Sequence, residues 1–229
     1  LSLEEARARA AKPAHAPVRP KALGVTALKN LDLAELARYI DWGPFFQTWD
    51  LAGRYPQILD DAKVGEAARN VFNDAQAMLK QLIAEQWLTA HAVFGLFPAR
   101  SRGEDIEFLG EDGKPRFTWH GLRQQQARPD GKPQQALADF VAPATAAKVS
   151  PGGTAPDYCG AFAVTAGIGI ETKHAEFAAA HDDYRAIMLK ALADRLAEAA
   201  AEWLHERVRK DYWGYAADEA LSTEALVAE

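Results

Sequence analysis

Two Glu-x-x-His pairs, Glu171/His174 and Glu202/His205, have the spacing with which bundle di-iron proteins set a carboxylate and an imidazole on one helical face. Their chemistry would be that of a dinuclear metal centre. Both pairs, however, fall on one helical stretch and stand about 46 Å apart along it at 1.5 Å per residue, whereas a shared site needs facing helices, which only a break between the pairs could provide. Solvated polar pairs are the simpler reading, and no metal is expected. Gly167-Ile-Gly169 follows an apolar run as a dinucleotide loop would, but the third glycine is missing and no βαβ unit surrounds it. Ser, Cys and His form no nucleophile motif, and His15, His91 and His120 carry no second ligand at useful spacing. Cys159, inside an apolar run, reads as a small buried side chain. No catalytic residue is assigned, and direct catalysis by the isolated chain is not expected.

Asp41 is the strongest single candidate. It lies between Ile40 and Trp42, ahead of Phe45, Phe46 and Trp49, in a segment too aromatic for an ordinary surface loop. A carboxylate in such surroundings must be solvated or partnered, because burial without a partner is costly. On the residues alone it is a helix-boundary cap, half of a buried pair with an arginine, or a functional acid. Asp194 and Glu198 lie one helical turn apart, where two acids repel modestly and are ordinarily just solvated.

The composition bounds what these residues can serve. A chain of 229 residues suffices for one sizeable domain or two small ones, and 48% hydrophobic with 25% charged residues is ordinary for a globular protein. A net charge of -6 argues against a nucleic-acid partner, since phosphate binding draws on clustered Lys and Arg. No run approaches the roughly 18 apolar residues of a membrane helix, and no signal-peptide pattern opens the chain. One cysteine leaves no intramolecular disulfide, which suits a reducing compartment such as the cytoplasm.

Several elements must position the candidates. Residues 1–25 alternate Ala, Lys, Arg and Pro and read as a linker arriving from a preceding domain; the domain proper is drawn over 26–229. A short helix is expected over 31–40 and a strong amphipathic one from Val64 to about Gln86. Strands are expected over 91–97, 106–109 and 116–119, the last two as a hairpin, and over 159–165 as a buried central strand. Loops are expected over 124–132 and 144–156. From about Glu171 to Lys210 the periodicity of Tyr184, Met188, Leu192, Leu196, Ala199 and Trp203 predicts one long helix, about 60 Å if continuous. Gly214 then lets the chain reverse between Tyr212, Trp213 and Tyr215. Short strands flanked by long helices predict an α+β fold, an antiparallel sheet with helices against it.

The blocks Tyr39-Ile-Asp-Trp42 through Trp49, Leu51-Ala-Gly-Arg-Tyr-Pro56, Gly95-Leu-Phe-Pro-Ala99, Leu122-Arg-Gln-Gln125, Leu137-Ala-Asp-Phe-Val-Ala-Pro143, Gly160-Ala-Phe-Ala-Val-Thr165 and the stretch His181 to Ala216 follow one another in a distinctive order. From about Leu31 onward the chain resembles the activation domain of cobalamin-dependent methionine synthase. The resemblance implies the same α+β class and a function: reactivation of a methyltransferase that moves a methyl group from methyltetrahydrofolate to homocysteine. When its cobalamin is oxidised to cob(II)alamin, the domain presents S-adenosylmethionine for remethylation, with an electron from flavodoxin or a similar reductase. The implied partners are that reductase and the cobalamin-binding domain of the same enzyme, from which residues 1–25 would arrive. The aspartate of the Tyr-Ile-Asp-Trp block contacts S-adenosylmethionine in the family, and Asp41 occupies its place. A carboxylate suits the ligand's ammonium as a charge-assisted acceptor. Asp194 and Glu198 would face the cobalamin module or the reductase, while the segment 167–173 departs from the acidic pattern of the family and weakens Glu171.

The family domain continues past the block at Leu221 to Leu226 into an Arg-x-x-Pro-Gly-Tyr-Pro-Ala-Cys segment that supplies most of the ligand site. This sequence stops at Glu229. The isolated chain is therefore expected to hold no cofactor firmly. A free-standing binding module that keeps the fold without using S-adenosylmethionine is the alternative.

Overall fold

The computed structural model describes residues 1–11, 16–127, 131–143 and 156–221. The loop expected over 144–156 and the block at Leu221 to Leu226 fall almost wholly outside them. The chain forms helices α1 (Leu3–Ala8), α2 (Leu33–Leu36), α3 (Gly43–Thr48), α4 (Gly65–Ala84), α5 (Ile170–Ala179) and α6 (Asp183–Arg207). Its strands are β1 (Gly24–Lys29), β2 (Thr89–Arg102), β3 (Asp105–Leu109), β4 (Pro115–Trp119) and β5 (Asp157–Ile168). They lie in the order β1-β2-β3-β4, and β5 also pairs with β2. The α+β class is as expected. By contact the chain divides into two units, Leu1–Val25, Phe94–Ala161 and Asp211–Ala217 forming the first, and Thr26–Val93, Phe162–Lys210 and Asp218–Glu229 the second.

The first unit is built on the expected antiparallel hairpin. Ile106 faces Trp119 and Phe108 faces Phe117 across β3 and β4, while Ser101 and Ala99 of β2 pair with Ile106 and Phe108 on the other side. Side chains alternate across a pleat, so Ala99, Ile106 and Phe108 share a face, which Ala138 and Val141 cover. The stretch read as a linker contributes α1 to this unit. Ser2 and Glu5 form a capping box that starts the helix, Ala6 is buried, and the Gln134 amide donates to the Arg9 carbonyl at 2.9 Å. At the other end of the stretch, the Trp213 indole donates to the Val18 carbonyl at 2.7 Å. Gly214 has φ +86, and a Cβ there would stand 2.3 Å from the Lys21 side chain. The reversal read from Tyr-Trp-Gly-Tyr therefore also seats residues 18–21.

The second unit carries the helices. On α4, Ala68, Ala75, Met78, Leu79 and Leu82 are buried, one stripe of the expected amphipathic helix. The long helix expected from Glu171 to Lys210 is two helices. His181 adopts the left-handed conformation (φ +55), its amide and that of Asp182 close onto the carbonyls of Ala178 and Phe177, and the Asp182 carboxylate caps α6 through the Arg185 amide. Met188, Leu192 and Leu196 are wholly buried on α6, whereas Tyr184 is half exposed. The 159–165 run is also corrected: it lies in β5, but Gly160 to Ala163 are exposed, and Phe162 is 54% accessible. An apolar run of strand length does not distinguish a covered strand from an open one.

Candidate functional site

Asp41 lies in the second unit on the turn between the 3-10 segment Ala37–Tyr39 and α3. The turn is held by the residues around it. Leu36, Ile40, Trp42, Phe45 and Phe46 are buried, with Trp42 edge-on to both Phe45 and Phe72 at 5.3 and 4.9 Å. Pro44 in the first turn of α3 suits a helix start, where no amide partner is needed. The carboxylate of Asp41 is half-buried, and its Oδ1 accepts from the Gly43 amide at 2.8 Å. A Cβ on residue 43 would stand 3.2 Å from that oxygen, so glycine leaves the carboxylate its room.

One of the readings left open by the sequence is thus realised at one oxygen, as a local cap. The buried pair with an arginine is not: among the described residues no arginine or lysine pairs with Asp41. Among the described residues, Oδ2 accepts no hydrogen bond. A half-buried carboxylate with one oxygen fixed and no cation beside it is chemically an acceptor for a cationic group.

The remaining candidates stand apart from this turn. Asp194 and Glu198 are exposed on α6, and Glu198 accepts both guanidinium nitrogens of Arg195, at 2.5 and 2.7 Å. Neither hydrogen-bonds to Asp41. Glu171 and His174 lie on α5, Glu202 and His205 on α6. Although the break separates them onto two helices, among the described residues no three His, Cys, Asp or Glu side chains gather as a metal set. Gly169 is the left-handed residue that starts α5, with φ +96 and the Trp87 carbonyl 3.1 Å from where a Cβ would stand. The Gly-x-Gly pair therefore makes a strand-to-helix turn. Cys159 is half-buried against the Ala99 and Ile106 core, and burial pushes its thiol pKa up, away from reactivity.

The sequence reading missed what α6 contributes to this turn. Tyr39 Oη donates to Glu206 Oε2 at 2.5 Å, and Glu35 Oε1 accepts from the Trp203 indole at 2.7 Å and from Arg207 at 2.9 Å. Burial, reinforced by Glu206, pushes Tyr39 up to about 12. Trp203 and Arg207 hold Glu35 below the ordinary carboxylate range. Burial pushes Glu206 up, but Tyr39 and Lys210 outweigh it and leave its carboxyl low. The only sequence signal for these contacts was Glu and Arg clustering at the end of the helix, which says nothing of partners some 170 residues away.

The family described as vitamin B12-dependent methionine synthase, activation domain, matches residues 32–229. The chain belongs to this family. The activation domain is also similar to a crystal structure of the MetH reactivation domain bound to AdoHcy, with 47% sequence identity and a TM-score of 0.88. That likeness covers the whole of this chain and 69% of the other. The activation domain is thereby the reactivation module of methionine synthase, a methyltransferase of methionine biosynthesis. Among the described residues, no helix is long and apolar enough to cross a membrane.

Proposed function

We propose that this activation domain receives S-adenosylmethionine with Asp41 as the acceptor for its ammonium group, and offers it to the cobalamin-binding domain of the same enzyme. S-adenosylmethionine supplies the methyl group for restoring the oxidised cofactor; the protein supplies placement. The carrying observation is the half-buried Asp41 carboxylate, with Oδ1 fixed by the Gly43 amide and, among the described residues, no cation paired with it. The AdoHcy in the similar structure supports the ligand class. Residues 1–25 are then the segment arriving from the cobalamin-binding domain, and 26–229 belong to the activation domain. Asp194 and Glu198, exposed on α6, are the acids available to that domain or to flavodoxin or a similar reductase. Single cysteine use fits a cytoplasmic enzyme.

The test is Asp41→Asn in the complete enzyme. The change keeps the shape and removes the charge, so S-adenosylmethionine binding should weaken by about 1.5–3 kcal/mol, the range of a hydrogen bond to a charged group. Reactivation at limiting S-adenosylmethionine should fall roughly tenfold or more. Unchanged reactivation, or a parallel collapse of primary methyl transfer in a folded protein, would make Asp41 a structural residue.

A further inference from the structure

Asp41 is held by more than its own turn. Two residues before it, the Tyr39 hydroxyl reaches Glu206, which also takes Lys210 at 3.1 Å. One helical turn earlier, Glu35 takes Trp203 and Arg207. The segment 35–39 is therefore fastened to the last turns of α6 at two points, each a charge-assisted hydrogen bond in half-buried surroundings where water competes poorly. Ile40 and Trp42, on either side of Asp41, are 6% and 8% exposed, so the backbone between the clasp and the carboxylate has little freedom.

We infer that Tyr39 and Glu206 are positioning residues for Asp41, setting where its carboxylate stands without touching the ligand themselves. The inference rests on the reading of Asp41 as the ammonium acceptor. A purely packing role for Tyr39 would need only its ring. Among the described residues its hydroxyl has one partner, Glu206, and through it the ligand-facing turn is referenced to α6, the helix that also bears Asp194 and Glu198.

Tyr39→Phe removes the hydroxyl and keeps the ring. In the complete enzyme it should raise the KM for S-adenosylmethionine in reactivation by about three- to tenfold, the equivalent of one modest hydrogen bond, while kcat at saturating ligand changes little. Glu206→Gln, which keeps an acceptor for the hydroxyl, should have a smaller effect than Glu206→Ala. Because the clasp acts through Asp41, Tyr39→Phe should add little in the Asp41→Asn background. A Tyr39→Phe enzyme with lowered thermal stability but an unchanged KM overturns the inference, as does a double variant whose effects multiply independently. If Asp41→Asn itself leaves KM unchanged, the reading of Asp41 falls and the positioning role with it.

Discussion

Gly43 decides how Asp41 can be used. Its amide fixes Oδ1 at 2.8 Å, and an added methyl would stand 3.2 Å from the same oxygen, closer than most side-chain contacts. Alanine is otherwise the better helix former, by roughly 0.5–1 kcal/mol in helix interiors, and residue 43 opens α3. Stability and ligand binding should therefore separate in Gly43→Ala: an unchanged or slightly raised melting temperature, with S-adenosylmethionine binding in the complete enzyme weakened severalfold by calorimetry. Equal binding would show that the carboxylate shifts without cost. At this scale the sequence was informative. A lone acid amid Trp42, Phe45, Phe46 and Trp49 must have a reason to be there, and local chemistry limits the reasons. Tyr39 was not legible, since its hydroxyl answers to a residue 167 positions away.

The helices were legible where periodicity and burial coincide. Met188, Leu192 and Leu196 repeat every fourth residue and are wholly buried, so α6 was placed from its stripe. The break before it was not, because the usual signal for a left-handed helix end is glycine and here it is His181. Asp182 was the remaining clue, as a cap for Arg185. The strain at His181 gives a direct test. His181→Gly should leave stability in urea unchanged or raise it by up to about 1 kcal/mol, since glycine adopts the left-handed region freely. His181→Val, β-branched at φ +55, should cost about 1–2 kcal/mol or more. Equal effects of the two would mean that the α5–α6 connection yields to the side chain. In β5 the apolar run predicted the strand and misjudged its burial, because covering depends on what packs above it and not on the strand's own sequence.

At the scale of the whole molecule, each unit is assembled from three separate stretches of chain, so its stability rests on contacts that no local pattern announces. The first unit shows this most clearly. Arg123, 4% exposed at its side chain, donates to Glu104 at 3.0 Å, to both oxygens of Asp139 at 2.8 Å and to the Gln134 carbonyl at 2.7 Å, while Arg7 from α1 takes the same Glu104 at 2.7 Å. Arg7, and then Arg123 against the opposing effect of burial, bring Glu104 down to about 2 from an ordinary 4.5. Burial pushes Asp139 up, but Arg123 and the Ala136 and Ala11 amides outweigh it, so this carboxyl is low as well. A carboxyl lowered by folding stabilises the native state above its unfolded value and ceases to do so as the pH falls through its folded value. The contribution of Glu104 should thus be complete above about pH 4.5 and vanish towards pH 2. In Glu104→Gln the neutral amide keeps an acceptor but loses the charge, which should cost roughly 1–3 kcal/mol at neutral pH. The variant should then lose less stability than the parent between pH 5 and pH 2, so that their urea midpoints converge in acid. Amide exchange should report the loss at Ser101 and Gln134 in the first unit, with Leu192 and Leu196 on α6 as the internal reference. Midpoints that stay a constant distance apart down to pH 2 would show that the ionised form of Glu104 is not what fastens α1 to this unit.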